Sequence, residues 1–367
     1  MKTVSITLCA VALVSSGSGV HAQKPSAYEF TLIADSSSGF SPTVSLNNRG
    51  TVSFVAWTSA GEPAVFTGNG GSLRRLAEGN GLFFGFGAGN TSINASGRVA
   101  FTAGLTAGGA GMFTASHRGI ETIARTGDFF AGLGFRPSID NAGTVAFLGS
   151  AAPSGGPGLF AGRGGAVLTV YGSHPSSAFF TFGAPAINEN GTLAFFAGVR
   201  GTPEWEGIFT GDGGPTTTIA DSRSGFFRLD VEPSINNAGV VAFAAILTSG
   251  VSGIFVGDGG PVATIADSTG PFSDVWLSSP IINNHGSVVF FAELDGGRVG
   301  IFTGPDPVVD KVIAIGDPLL GSLVMEFFLN GSRLGFNDRG EVAFVARLGD
   351  GREVVVRATP QHRAHRH

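Results

Sequence analysis

The sequence predicts an all-β chain closed into a seven-bladed β-propeller of four-stranded blades. Three observations carry this. An apolar, strand-like run stops seven times at a four-residue turn ending in glycine, at Gly50, Gly97, Gly143, Gly191, Gly239, Gly286 and Gly340, with spacings of 47, 46, 48, 48, 47 and 54 residues, a period that marks a repeat architecture. The runs show no 3.6-residue apolar period, so they read as strands. Finally, Tyr28-Glu29-Phe30-Thr31-Leu32-Ile33-Ala34-Asp35 matches the fourth strands of internal units, whereas the seventh unit stops after its third strand. The first strand of the chain is therefore expected to complete the last blade, which closes the ring and leaves no free edge. A β-solenoid has shorter turns and needs no such permuted closure.

Within each unit the elements follow from local chemistry. In the fifth unit the strands are Pro233–Asn236, Val240–Ala245, Gly253–Gly257 and Ala263–Asp267, bounded by Gly, Asn, Asp and Ser. The turn after each first strand opens with Asn47, Asn94, Asp140, Asn188, Asn236, Asn283 or Asn337. An Asx side chain bonds the turn backbone and glycine at the fourth position accepts positive φ, so these side chains are read as consumed by their own turns. Four residues after each glycine stands Phe54, Phe101, Phe147, Phe195, Phe243, Phe290 or Phe344, and third strands add Phe66, Phe113, Phe160, Phe209, Phe255 and Phe302. Rings recurring at one register are core, each contributing roughly 2–3 kcal/mol by burial.

The ends divide the chain into three segments. Lys2, the apolar run Val4 to Val14 and the small residues up to Ala22 read as a secretory signal cleaved after Ala22. Residues 23–359 form the propeller, with 28–35 as closing strand, and 360–367 form a His/Arg-rich tail. The single cysteine, Cys9, falls in the signal, so the mature chain is expected to lack thiols and to rest on its core. Cleavage takes the net charge from −5 to −6; with no basic patch, nucleic acid is excluded as a partner. No later stretch approaches the roughly 18 apolar residues of a membrane span. The expected localisation is secreted or periplasmic, without an evident anchor, and the expected state is a monomer.

Strings such as Pro233-Ser234-Ile235-Asn236-Asn237-Ala238-Gly239-Val240-Val241-Ala242-Phe243 resemble the tandem NxxGxxAF repeat of bacterial "choice-of-anchor" secreted and surface proteins. The resemblance covers about Tyr28 to Arg357 and implies a β-propeller-like fold and bacterial export. Members of that family typically end in a sorting or anchoring signal, which this chain's His/Arg ending does not match. The resemblance transfers no catalytic motif.

Binding chemistry is placed on the face of irregular loops, opposite the regular hairpin turns. Its fourth-to-first connections carry Phe40, Phe83 and Phe84, Phe129 and Phe130, Phe179 and Phe180, Phe226 and Phe227, Phe272 and Trp276, and Phe327 and Phe328. One ring per unit is expected to plug the seam between blades and the second to be exposed. In the fourth unit, Trp205 between Glu204 and Glu206 can stack on a sugar ring while a carboxylate accepts its hydroxyls. Arg136, Glu232 and Arg333 are placed near the central channel, as a polar cluster for a carboxylate or hydroxyl-rich ligand or as a structural ion pair. No HxxH, HxH or Gly-x-Ser-x-Gly pattern occurs, and neither metal nor cofactor is expected. The sequence thus points to an exported, non-enzymatic binding or scaffold propeller for a carbohydrate or protein. Its alternatives are a carbohydrate-active hydrolase or lyase, pairing Glu204 or Glu206 with Glu232, and a structural envelope protein.

Overall fold

The computed structural model describes residues 28–361 apart from 37–38, 80, 128, 153–154, 276–278 and 330–333. The expected signal, the residues of the tail after 361, Trp276 and Arg333 lie outside the described residues. Seven antiparallel sheets follow one another along the chain, and the first strand of each lines a central channel. In blade 5 the second, third and fourth strands are Val241–Leu247, Ser252–Gly257 and Ala263–Asp267. No described helix is long and apolar enough to cross a membrane.

The ring closes as the permuted ends required. Tyr28–Ser36 pairs antiparallel with Glu353–Pro360, from Tyr28 opposite Pro360 to Ser36 opposite Glu353, and becomes the outer strand of blade 7. Side chains tie this last blade to blade 1 and brace its own turn. Arg357 Nη1 donates to the Gly50 carbonyl at 2.6 Å, and the Phe40 N–H donates to Glu353 Oε2 at 3.0 Å. Buried Glu341 accepts from Asn337 Nδ2 and Arg339 Nη2, each at 2.6 Å.

One correction concerns the first strand. The aromatic segments assigned to connecting loops are strands: Phe226–Leu229 and Ser234–Ile235 both pair with Val241–Leu247, and Pro233 lies between them. Blades 3, 4 and 6 are split in the same way, and each carries a proline in the gap, at Pro137, Pro185 and Pro280. Proline has no N–H for the ladder and forces the preceding residue into an extended conformation. A second correction explains the 54-residue spacing, because an extra hairpin, Pro318–Leu319 against Ser322–Phe327, enters blade 7.

Blades 1 to 6 are built on the same three-ring aromatic stack, and blade 7 keeps two of the rings, with Val356 opposite Phe344. The seven second-strand phenylalanines are at most 1% exposed. In blades 1 to 6 the third-strand ring lies 5.7–6.4 Å from the second-strand ring at 22–34°. Phe40, Phe83, Phe130, Phe179, Phe226, Phe272 and Phe327 approach the same second-strand ring of their blade from the first strand, at 5.6–6.1 Å and 58–86°. Such offset and edge contacts add about 0.5–1.5 kcal/mol beyond area burial. The third-strand ring folds back over the glycine two residues earlier. A Cβ on Gly253 would stand 2.5 Å from the Phe255 ring. Blade 1 has Ala64 at this position, and its Phe66 is only half-buried.

The turns do more than the sequence reading allowed. Their glycines have φ of +71° to +89°. In blade 5, Asn236 Oδ1 accepts the N–H groups of Ala238 and Val240, as an Asx turn requires. Its Nδ2 donates to the Asn283 carbonyl of the next blade at 3.3 Å. The same link joins Asn47 to Asn94, Asn94 to Asp140, Asn188 to Asn236, Asn283 to Asn337 and Asn337 back to Asn47 at 3.0–3.1 Å. The belt breaks between blades 3 and 4, where Asp140 has no N–H₂ to offer. A parallel rung appears wherever serine permits it, with the Ile93, Ile139, Ile187 and Ile282 N–H groups donating to Ser45, Ser92, Ser138 and Ser234 of the preceding blade.

Two stability outcomes follow. Asp140→Asn supplies the missing donor and is expected to raise unfolding free energy by about 0.5–1.5 kcal/mol; an unchanged or lower value in denaturant titration would mean that the belt is not stabilising. Gly253→Ala forces the Phe255 ring out of place and is expected to cost about 1–3 kcal/mol, measured in the same way.

Candidate functional site

The two ends of the channel are built from different chemistry. On the loop side, the residues just before Pro137, Pro185, Pro233 and Pro280 are Arg136, Ala184, Glu232 and Ser279. Arg136 of blade 3 pairs with Glu232 of blade 5, and both are mostly buried. Blade 4, between them in the ring, offers only Ala184 at this position, which leaves the path open. Beneath the pair lies Asp230, 8% exposed. Its Oδ1 accepts the Glu232 N–H and the Ser279 hydroxyl, each at 3.1 Å, while Oδ2 has no partner. Burial pushes the Asp230 carboxyl above its ordinary range, and the Ser279 and Glu232 bonds and nearby Arg136 offset only part of this.

Around that end lie exposed aromatic rings: Phe84 at 67%, Phe129 at 50% and Phe227 at 72%. Their partners Phe83, Phe130 and Phe226 are buried in the seams. In blade 3 the order is reversed, because Phe130 takes the seam register and Phe129 stays out. Phe180 and Phe328 are capped by Arg200 and Arg347, at 6.0 and 5.0 Å from the ring centroids. The Phe84 ring lies against the Gly104 backbone, where a Cβ would stand 2.4 Å from it. One face of this ring is thus fixed while the residue remains largely solvent-exposed.

The Trp205 group forms a separate feature on the rim of blade 4. Trp205 opens the strand Trp205–Gly211 opposite Val199, and Glu204 and Glu206 are exposed on either side of it. The Arg223 guanidinium lies 3.6 Å from its ring centroid, held by an ion pair with Asp221. A sugar stacking on that face must displace Arg223. Gly201, Pro203, Trp205 and Arg223 line a shallow groove of about 450 Å³. No described contact brings Glu204 or Glu206 to Glu232, whose carboxylate is engaged by Arg136. Among the described residues no group of three or more His, Asp or Glu is placed to hold a metal ion.

The turn side carries a pocket of about 160 Å³ on the axis, where the turn Asn side chains, otherwise assigned to their own turns, come together as a ring. Its floor is Leu46, Ile93, Ile139, Ile187, Ile235, Ile282 and Phe336, the residue before each turn Asx. Its crown is Asn48, Ala95, Asn141, Glu189, Asn237, Asn284 and Asp338, the residue after it. These side chains form a second belt. The N–H groups of Ala95, Asn141, Glu189, Asn237, Asn284 and Asp338 donate to the crown side chains of the next blade at 2.8–3.0 Å. Burial raises the Glu189 carboxyl, assisted by Asp140 and Asp338. Burial also opposes the Asp338 charge, but bonds from Asn284 and Asn48 outweigh it and hold that carboxyl low. Only the occurrence of Asn, Asp or Glu at the second turn position in six of seven repeats could have signalled this crown.

Fold and channel define the protein as a seven-bladed β-propeller. The chain belongs to a family of unknown function, DUF7453, whose model matches residues 31–225. No curated protein matches it. Among solved structures it is similar to an oligogalacturonate lyase from Vibrio parahaemolyticus, at 12% identity and TM-score 0.58, covering 92% of this chain and 98% of that one. It is also similar to the β-propeller domain of the Trilobed protease from Pyrococcus furiosus, at 9% identity and TM-score 0.52, covering 90% and 96%. A third is an acylaminoacyl peptidase from Pyrococcus horikoshii, at 12% and 0.52, covering 88% of this chain and 53% of that one. At these identities the likeness is one of fold.

Asp230 gives a pH prediction. An acid whose folded pKa is raised binds its proton more tightly folded than unfolded, so its contribution to stability falls as pH rises from the unfolded value through the folded one. Asp230→Asn is therefore expected to raise the melting temperature more at pH 7 than at pH 4. An equal effect at both would show that the carboxyl titrates normally.

Proposed function

We propose that the protein is an exported, non-enzymatic recognition propeller whose loop face binds a glycan or a protein. The carrying observation is the set of rings at Phe84, Phe129 and Phe227, left half or more exposed while a neighbouring phenylalanine in each blade fills the seam. Several exposed rings gathered on one face mark an interaction surface where a single one would not, and a ring already seated on backbone, as Phe84 is, loses little freedom on binding. The Arg136–Glu232 pair and the Trp205 rim with its carboxylates add polar anchors to that face. Export rests on the N-terminal Lys2, apolar run and Ala22, and the repeat's resemblance to choice-of-anchor proteins agrees with it.

The test is a binding screen of the purified protein against glycans, polysaccharides and envelope-protein extracts, with sugar release followed in the same wells. Phe84→Ser and Phe227→Ser are each expected to weaken the bound ligand roughly tenfold, ~1.4 kcal/mol, with melting temperature unchanged. Sugar release would instead establish the hydrolase or lyase reading and direct mutation to Glu204, Glu206 and Glu232. Binding that survives loss of both rings would remove the loop face from recognition.

A further inference from the structure

We infer that the axial pocket on the turn face is a second, independent site, and that it takes a single neutral or amino sugar. The lining is divided as a pyranose is divided. A small apolar floor of six aliphatic side chains and Phe336 lies beneath a larger rim of carboxamides and carboxylates, so a sugar ring finds a limited C–H contact below and partners for its hydroxyls over most of the surface. The volume of about 160 Å³ lies below the roughly 300–1,000 Å³ of sites for larger ligands, which restricts the occupant to about one ring.

Other occupants fit the chemistry less well. A divalent cation needs several uncommitted oxygens converging on one point. The Asp338 carboxylate already accepts from the Asn284 N–H at 2.9 Å, Asn284 Nδ2 at 3.0 Å and Asn48 Nδ2 at 2.6 Å. Glu189 stands three blades away around the ring, with one oxygen held by the Asn141 N–H at 2.9 Å. An anion meets both carboxylates and is repelled. A hydroxyl donates and accepts, and suits a rim that offers both kinds of group.

The rim is also held in place before any ligand arrives. Asn237 spends its Oδ1 on the Glu189 N–H at 3.0 Å, which fixes the amide and keeps its N–H₂ for a hydroxyl. The Glu189 carboxylate is held from one side by both the N–H and the side chain of Asn141, which fixes its charge at the rim. Because each crown side chain is anchored to the backbone of the preceding blade, binding freezes few rotamers. Ala95 alone brings no polar group, and it leaves a notch in the crown through which a substituent can leave the pocket.

Charge sets the order among sugars. Glu189 and Asp338 favour an ammonium at the rim and disfavour a carboxylate, so glucosamine should bind tighter than glucose, and glucuronate weakest. The experiment is calorimetry or saturation-transfer NMR of the purified protein with these three sugars. Glucosamine is expected to bind about fivefold tighter than glucose, the scale of one partly exposed charge pair. Glu189→Gln keeps the acceptor for the Asn141 N–H and should abolish that preference while glucose still binds. Ala95→Phe fills the notch and should abolish binding of all three without lowering the melting temperature; Ala95→Leu serves if the larger ring disturbs folding. Failure of every sugar to bind saturably, glucuronate binding as well as glucosamine, or full binding by a folded Ala95→Phe or Ala95→Leu protein would overturn the assignment. Loss of Phe84 or Phe227 from the opposite face should leave these affinities unchanged.

Discussion

Everything else in the ring depends on the carboxamide of the turn asparagine, which works in two directions at once. Its oxygen builds the Asx turn within its own blade, and its nitrogen donates to the same position of the next blade. Apolar packing between blades is strong but does not specify an angle. A hydrogen bond does, because it weakens steeply away from its preferred geometry. Repeated six times around the axis, this bond fixes the rotation between neighbours, so that the seventh blade arrives where Tyr28–Ser36 can complete it. The aromatic stacks supply most of the burial, and the belt sets the angle at which they meet.

The belt also divides the molecule functionally. On the turn side, Asx oxygens, Asx nitrogens and crown side chains are committed to neighbouring backbone, so sequence there can vary only where the backbone bond survives. Glu189 replaces an amide in the crown because a carboxylate oxygen accepts the same N–H, and Ala95 is the one position where that bond is given up. The loop side carries no such obligation. The first-strand prolines release the residues before them from the ladder, and those positions hold Arg136, Ala184, Glu232 and Ser279, with no shared chemistry. Arg136 of blade 3 pairs with Glu232 of blade 5, and blade 4 between them has the small Ala184 at the equivalent position.

Much of this was legible in the sequence, and what was not has a common cause. The period, the closing strand, the core phenylalanines and the Asx-glycine turns each depend on residues a few positions apart or on the repeat itself. The seam bonds join positions 46–54 residues apart, or 290 at the closure, and no local pattern separates an asparagine that bonds its own turn from one that also bonds the next blade. The channel pairing of Arg136 with Glu232 was open to two readings, ligand cluster or ion pair, and the structure brings these two together as an ion pair. Trp205 was visible as an unusual residue. That Arg223, 18 positions later, covers its ring depends on the course of the fourth strand. The split first strand was misread because Phe226 and its equivalents precede a proline, and a proline ordinarily marks the start of a strand, not its middle.

These differences bear on where binding can evolve in such a ring. A hydrophobic side chain left in water is tolerated only when the fold does not need it, and each blade meets its own need with the buried ring. Phe130 shows this most directly. In blades 2 and 3 alike the aromatic pair stands 14 and 13 residues before the turn glycine, yet the register of pairing, Phe130 opposite Ala151 as Phe83 is opposite Leu105, decides which ring is buried, and Phe129 is the one left over. The exposed ring is therefore not an accident of incomplete packing. With the seam filled and the turn belt fixing the blade, the second aromatic is only half committed: Phe84 rests on the Gly104 backbone and Phe129 on the Phe130 and Phe160 rings, while the rest of each stays in solvent, so the loop face can change its chemistry from blade to blade with little disturbance to the ring beneath it.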